Sequence, residues 1–285
     1  MFRVFQDAAI ELGQRLGVTA ITGGDDPTVR ATLWADRRSL FEHLASTASH
    51  FWIAETDGQV IGYARSTLRD GVLELTELFV LPQAQAAGVG RELLARAFPI
   101  SVGERHRVVI ATLDVRALIR YLKAGCYARF PIHHFARTAR PAGSPTGLEV
   151  EPLEPAARTF ALLAQVDESV LGFRRDADHA WLMTTRRGVF YRRDGRLVGY
   201  GYSAASNGPF AAFDEADLPL MLVEAEAAAP PGTTFGLDVP LINRVVVDYA
   251  LAQGFRMGAF VNYFMSDVPF GRFEAYVCTT PAFFV

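Results

Sequence analysis

The sequence predicts an α/β (α+β) protein of two tandem lobes, each a mixed, mostly antiparallel sheet flanked by helices. Three observations predict it. A proline- and glycine-rich stretch, "ARTARPAGSPTGLEVEPLEP" at residues 136–155, is poor in large apolar side chains and divides a chain of 285 residues near its middle, a length that suits about two domains. On each side of it an Asp-Gly pair joins two alternating apolar segments, "FWIAETDGQVIGYARS" (51–66) and "GVFYRRDGRLVGYGYS" (188–203), which is a strong hairpin signal. Farther along each half, a β-type segment containing Leu-Asp-Val runs into a helix closed by a glycine: "ATLDVRALIRYLKAGCY" (111–127) and "FGLDVPLINRVVVDYALAQGF" (235–255). Two elements repeated in the same order read as a diverged internal duplication. The boundaries that follow are a first domain at 1–138, a linker at 139–150 and a second domain at 151–285.

The elements follow in order. "FRVFQDAAIELGQRLG" is helical from the start of the chain, and helices are expected at 2–16, 27–47, 84–98 and 116–124, the last closed by Gly125. Strands are expected at 51–56, 60–68, 72–81, 107–113 and 129–136. In the second half helices fall at 154–171, 214–228, where Asp217 stands as the cap, and 241–253, closed by Gly254. Its strands fall at 188–193, 196–204, 233–238 and 258–280. A hairpin first, then strands alternating with helices, means a mixed sheet covered by helices.

Composition narrows the function. Half of the residues are hydrophobic, with 21 Phe, 9 Tyr and 3 Trp, so substantial cores can form. The net charge is −3 and no Lys/Arg-rich tract occurs, so no nucleic-acid partner is expected. No apolar run approaches the ~20 residues of a membrane span, and the N-terminal segment carries Asp7 and Glu11; a cytoplasmic protein without a membrane partner is expected. Cys126 and Cys278 are the only cysteines, too few for a disulfide framework or a zinc site, and they read as packing residues; no metal is expected. Adjacent residues of a strand face opposite ways, so His133 and His134 cannot line one site, and both read as structural.

The chemistry lies in "LPQAQAAGVGRELLARAF" (81–98), where glycines interrupt the passage from strand to helix. A Walker-type loop requires Lys-Ser/Thr after its last glycine, and Gly90 is followed by Arg91-Glu92. A dinucleotide fingerprint requires a third glycine where Leu93 stands. Glycines that only tighten the turn are the plain alternative. A short loop opening a helix also exposes unpaired backbone N–H groups, and glycines let a pyrophosphate approach them; Arg91 adds charge in the first helical turn.

"ELFVLPQAQAAGVGRELL" resembles the strand, loop and helix of the GNAT acyltransferases, with Val80-x-Pro82 followed by Gln85, Gly88 and Gly90 in register and Ala86 where the family most often has glycine. Ala117, Tyr121 and Gly125 resemble the family's second landmark, with Cys126 in place of its phenylalanine. The resemblance implies acetyl-CoA (coenzyme A) as cosubstrate. It places the pyrophosphate on Gln85, Ala86, Ala87, Gly88, Val89, Gly90 and Arg91, and the thioester carbonyl against backbone groups around Phe79 and Val80. It makes Tyr121 the residue that protonates the departing thiolate; a phenol near pKa 10 stays neutral at pH 7 and can donate to a thiolate whose thiol has a pKa near 8.5. For the general base the candidates are Glu77, preferred, and Glu74. Strand alternation sets these on opposite faces, and an ordered water is the other route. The function implied is an N-acyltransferase moving an acetyl (acyl) group from acetyl-CoA to a primary amine by direct attack; a non-catalytic acyl-CoA-binding or regulatory module is the alternative.

The second half keeps Gly254-Phe255 but has Ala250 where the first has Tyr121, and its segment 207–231 contains no second Q-x-x-G-x-G. It resembles the degenerate lobe of tandem bacterial GNAT proteins, so one active site is expected. Trp181, Tyr191, Tyr200, Tyr202 and Phe264 either shape an acceptor pocket or pack as structure. The acceptor expected is a small molecule or a peptide amine, and a homodimer is compatible with the sequence.

Overall fold

In a computed structural model, which describes residues 1–18, 26–85, 88–100, 105–140 and 145–282, the chain is helical from its second residue. Helix α1 (Phe2–Leu16) buries Val4, Phe5, Ala8 and Leu12 and ends at Gly17, where the Val18 N–H donates to the Gly13 C=O at 2.9 Å. Helix α2 (Pro27–Ser46) starts where Asp26 accepts the Thr28 N–H at 2.7 Å and proline takes the first turn. Strands β1 (Ala48–Thr56), β2 (Gln59–Arg69) and β3 (Val72–Val80) form an antiparallel meander. Both of its turns, Asp57-Gly58 and Asp70-Gly71, have positive φ at each central residue, the geometry of a type I′ turn that matches strand twist. Helix α3 (Val89–Ala97), strand β4 (His106–Thr112) and helix α4 (Val115–Lys123) follow, and β4 lies parallel to β3, giving the order β1-β2-β3-β4.

Helix 84–98 of the sequence expectation is two pieces. Pro82–Ala84 make a single 3-10 turn, and α3 begins after Gly88. Gly88 sits at φ 84°, a left-handed conformation that halts any helix running in from Gln85.

The chain divides into one unit of Met1–Tyr127 with Met265–Val268 and a second of Ala128–Phe264 with Pro269–Val285. Strand β5 (Tyr127–Thr138) thus leads into the second unit, whereas the sequence placed it before the linker. Its hydrogen bonds explain this, for it pairs antiparallel with the later strand β10 (Thr234–Pro240), Phe135 opposite Leu237.

The second unit continues with β6 (Glu149–Pro152), α5 (Ala157–Val170), α6 (Asp176–Thr185), β7 (Arg187–Arg193), β8 (Arg196–Ser203), β9 (Phe210–Ala212) and α7 (Leu218–Ala227). After β10 come α8 (Arg244–Ala252), β11 (Arg256–Ser266) and β12 (Tyr276–Val277). Five strands lie in the order β12-β9-β8-β7-β6, and β11-β5-β10 are neighbours in a second set. The sequence reading missed β6, α6 and β9, and its strand 258–280 is β11 followed by irregular chain and β12.

The duplication extends through the fold. Two helices, a hairpin, a strand, a helix, a strand, a helix and a strand occur in that order in each half. The glycine-closed helices end identically: the Cys126 N–H donates to the Tyr121 C=O and the Phe255 N–H to the Ala250 C=O, each at 2.9 Å. Phe135, Met221, Leu222, Phe235 and Leu237 are buried together in the second unit's core. Among the described residues no helix is long and apolar enough to cross a membrane.

Candidate active site

The site begins with a fault in a strand. Arg65 pairs with Glu77 but Ser66 with Leu75, so Thr76 is an extra residue on β3, a β-bulge. The parallel pairing of β3 with β4 runs from Val72↔His106 to Leu75↔Val109 and stops there, although β3 continues to Val80 and β4 to Thr112. A bulge bends its strand and increases the local twist, and here it lies at the point where β3 leaves β4.

The ladder fixes what the opened edge presents. The Leu81 N–H donates to the Ile61 C=O at 2.8 Å, and Gly62 pairs with Val80. Residues of an antiparallel pair alternate between exchanging both hydrogen bonds and pointing both groups away. Phe79 therefore bonds to Tyr63, while the N–H and C=O of Leu78 and Val80 turn toward the gap. Of the two positions the sequence offered for polarising a carbonyl, Val80 has this outward phase and Phe79 does not. The Phe79 ring also lies away from the gap, 5.1 Å from that of Phe5 on α1.

Above the gap is the glycine loop. The Arg91 N–H makes the first bond of α3, to the Gly88 C=O at 3.0 Å; the N–H groups of Gly88, Val89 and Gly90 precede it and lie at the positive end of the helix. Gln85 braces the loop, its Nε2 donating to the Val80 C=O at 3.1 Å. Ala86 and Ala87, also expected here, lie outside the described residues.

A cavity of about 1200 Å³ joins these parts, lined by Leu78 and Val80 of β3, Gln85, Gly88, Gly90 and Arg91 of the loop, and the facing side of α4. Among the described residues its lining carries five cations, Arg91, Arg107, Arg116, Arg120 and Lys123, against a single carboxylate, Asp114. Asp114 caps α4 by accepting the Arg116 N–H at 2.9 Å, and it also binds the side chains of Arg116 and Arg15. Burial alone would raise its pKa; the hydrogen bonds from Arg116 and Arg15 outweigh burial and bring it down to about 2. Arg107 lies over the Phe98 ring and donates to the carbonyls of Ala124 and Phe98, each at 2.8 Å, while its Nε is buried without an acceptor. The positive excess is unbalanced within the cavity. Apolar walls, a free helix N-terminus and uncompensated cations fit an anionic group on an extended apolar tail.

Residues 20–126 match the model of the acetyltransferase (GNAT) family. That stretch is similar to a GNAT domain. A Pyrococcus horikoshii protein provisionally assigned as an acetyltransferase has a similar fold, with 14% identity, 96% of this chain and 88% of that chain covered, and a TM-score of 0.71. A GCN5-related N-acetyltransferase from Sphaerobacter thermophilus shares 14% identity over 95% of this chain and 93% of its own, with a TM-score of 0.55. No curated protein matches the sequence.

Tyr121, on α4, is buried and is not itself among the residues lining the cavity; its burial pushes the phenol pKa up and keeps it neutral. Glu77 is likewise outside the lining. It is 3% exposed; its carboxylate accepts the Tyr63 hydroxyl at 3.0 Å and bonds and ion-pairs with Arg65. Arg65, itself 1% exposed, also donates to the Phe41 C=O at 2.8 Å and lies between the rings of Phe41 and Phe51. Burial lowers its pKa to about 10, so it remains charged at neutral pH. Glu74 shares Glu77's face: their partners Thr67 and Arg65 are two apart on β2. The bulge at Thr76 cancels the alternation that had set the two glutamates on opposite sides.

In the second unit, Tyr191, Tyr200, Tyr202 and Phe264 are buried core residues, which favours packing over a pocket. Cys126 and Cys278 are buried free thiols. His133 Nδ1 lies 3.2 Å from the Gly258 C=O, and His134 Nδ1 lies 2.9 Å from Asp238 Oδ1.

Proposed function

We propose that this protein is an N-acyltransferase moving an acetyl (acyl) group from acetyl-CoA to a primary amine at one site in its GNAT domain. The observation that carries the reading is the gap between β3 and β4, which turns the Val80 N–H and the Leu78 backbone groups toward a cavity and ends at a positively charged helix N-terminus. Acetyl-CoA, when bound, supplies the thioester. The N–H groups of Gly88, Val89 and Gly90, with Arg91, hold its diphosphate. The Val80 N–H polarises the carbonyl, a fixed donor where negative charge develops.

The amine nitrogen attacks the carbonyl carbon, the C–S bond breaks, and Tyr121 donates its proton to the departing sulfur and is reprotonated from water. The carboxylate of Glu77 is committed to Arg65 and Tyr63, so the proton lost by the amine goes to water. The test is thiol release from acetyl-CoA in the presence of a panel of primary amines, with the product identified by mass. An acetylated amine formed in step with free thiol is expected. Thermal stabilisation by acetyl-CoA without thiol release from any amine would make the protein a binding module instead.

A further inference from the structure

Each glycine of the loop is faced by a guanidinium. A Cβ built on Gly88 would come 3.9 Å from a terminal nitrogen of Arg91, and one on Gly90 would come 3.7 Å from the Cζ of Arg120. Arg91 belongs to the loop's own helix. Arg120 comes from α4, on the opposite wall of the cavity, and its Nη1 donates to the Arg116 C=O at 3.1 Å. Among the described residues neither arginine has an acidic partner, whereas Arg116, one turn back, is neutralised by Asp114 and Glu11.

We infer that Arg120 is the second cation of the diphosphate site, closing on the anion from α4 while the N–H groups of α3 and Arg91 hold it from the other side. This rests on the acyl-CoA reading above. The charge balance requires such a group: a helix N-terminus contributes about half a unit of positive charge, and a diphosphate diester carries two negative charges. Arg91 and Arg120 supply the two units. Buried Arg107 adds a third positive charge to the cavity, but two of its nitrogens are committed to backbone carbonyls.

The position on α4 also matters. Successive helix residues point about 100° apart, so Tyr121 turns to the buried side while Arg120 turns to the cavity. One rigid helix then sets the distance between the diphosphate anchor and the donor to sulfur. The second unit lacks the pair: counting back from Gly254 as from Gly125, Tyr249 stands where Arg120 does and Ala250 where Tyr121 does.

The experiment is calorimetric titration of the full chain and of the Arg120→Ala, Arg120→Lys and Lys123→Ala variants with CoA, 3′-dephospho-CoA and pantetheine, each variant first checked by thermal melting. Arg120→Ala should weaken CoA and 3′-dephospho-CoA alike, by on the order of ten- to a hundredfold, the range for a lost charge-assisted hydrogen bond. Its pantetheine affinity should not move, Arg120→Lys should recover part of the loss, and the salt dependence of CoA binding should flatten. Wild-type affinity for CoA in a folded Arg120→Ala variant would overturn the inference and leave the acyl-CoA reading standing. A loss confined to CoA would also overturn it, by assigning Arg120 to the 3′-phosphate. Failure of the wild-type protein to bind either nucleotide would remove the acyl-CoA reading and this inference with it.

Discussion

Glu77→Gln separates two roles for the residue that the sequence marks as the base. The substitution keeps the shape of the side chain and removes its charge. It would leave Arg65, 1% exposed, as a buried guanidinium whose remaining support is the Phe41 carbonyl and the rings around it. Breaking a buried pair from one side costs about 3–5 kcal/mol because the surviving charge is uncompensated. For a unit of this size that lowers the melting temperature by on the order of 10–20 °C. Replacing both partners, Arg65→Met with Glu77→Leu, should cost much less than Glu77→Gln, since no charge stays behind. The assay is calorimetric melting of the full chain, with kcat for thiol release measured where each variant is still folded. The expected result is a large loss of stability in Glu77→Gln, recovery in the double variant, and kcat per folded molecule close to wild type in both. A Glu77→Gln protein that melts like wild type but has lost most of its kcat, together with the low-pH limb of its rate profile, would refute the structural role and restore Glu77 as the base.

Tyr121→Phe should lower kcat by roughly 10²–10⁴-fold, the usual worth of a positioned proton donor, with CoA affinity by calorimetry unchanged; an unchanged kcat would take Tyr121 out of the reaction. Gly88→Ala puts a Cβ on a left-handed residue at φ 84° and should destabilise by about 1–2 kcal/mol while weakening CoA binding, both readable from melting curves with and without CoA. In the second unit Asp167 is fully buried; burial alone would raise its pKa, but Arg175 and His179 outweigh it and hold the pKa at about 2. A depressed carboxylate stabilises the fold above the unfolded pKa of about 4 and loses that contribution as pH falls toward 2, a span worth about 2–3 kcal/mol. Stability followed by denaturant titration over that range should fall, and the part due to Asp167 should be missing from Asp167→Asn, which starts less stable.

The legible parts are those written in local chemistry. Asp57-Gly58 and Asp194-Gly195 specify their turns because both central residues need positive φ. The caps, Asp114 on Arg116 and Asn243 on Val246, lie within three residues of what they bond. The passage from β3 through the glycines into a helix is local too, although α3 starts at Val89 and not at residue 84. What escaped depends on partners far along the chain. In "VLELTELFV" the alternation breaks where polar Thr76 and Glu77 stand side by side, but a break of phase does not by itself specify a bulge; that is decided by the pairing with β2 on one side and β4 on the other. Arg65 and Glu77 lie 12 residues apart and meet only because β2 folds back on β3. Arg120 was within reach of a helical wheel, next to Tyr121 and turned a quarter circle from it, but the wheel does not say that Gly90 lies opposite.

The two halves show what makes a helix N-terminus a binding site. In each, a short strand passes through a loop into a helix, β3 into α3 and β9 into α7. At α3 the N-cap is Gly88 and the first turn carries Arg91 and Glu92, and among the described residues no side chain caps the helix end. Before α7 the chain offers Asp214, Glu215 and Asp217. Asp214 caps the 3-10 turn Glu215–Asp217 that leads into α7, its Oδ1 accepting the Ala216 N–H at 3.0 Å, while Asp217, expected from the sequence as the cap, holds the N-cap position of α7 without a side-chain cap bond and pairs with Arg193 at 2.7 Å. Proline in the first turn of α7 removes one more donor. A dianion approaching that end would meet three carboxylates and a depleted set of N–H groups. The same topology therefore opens a positive helix end to an anion in one half and crowds it with carboxylates in the other.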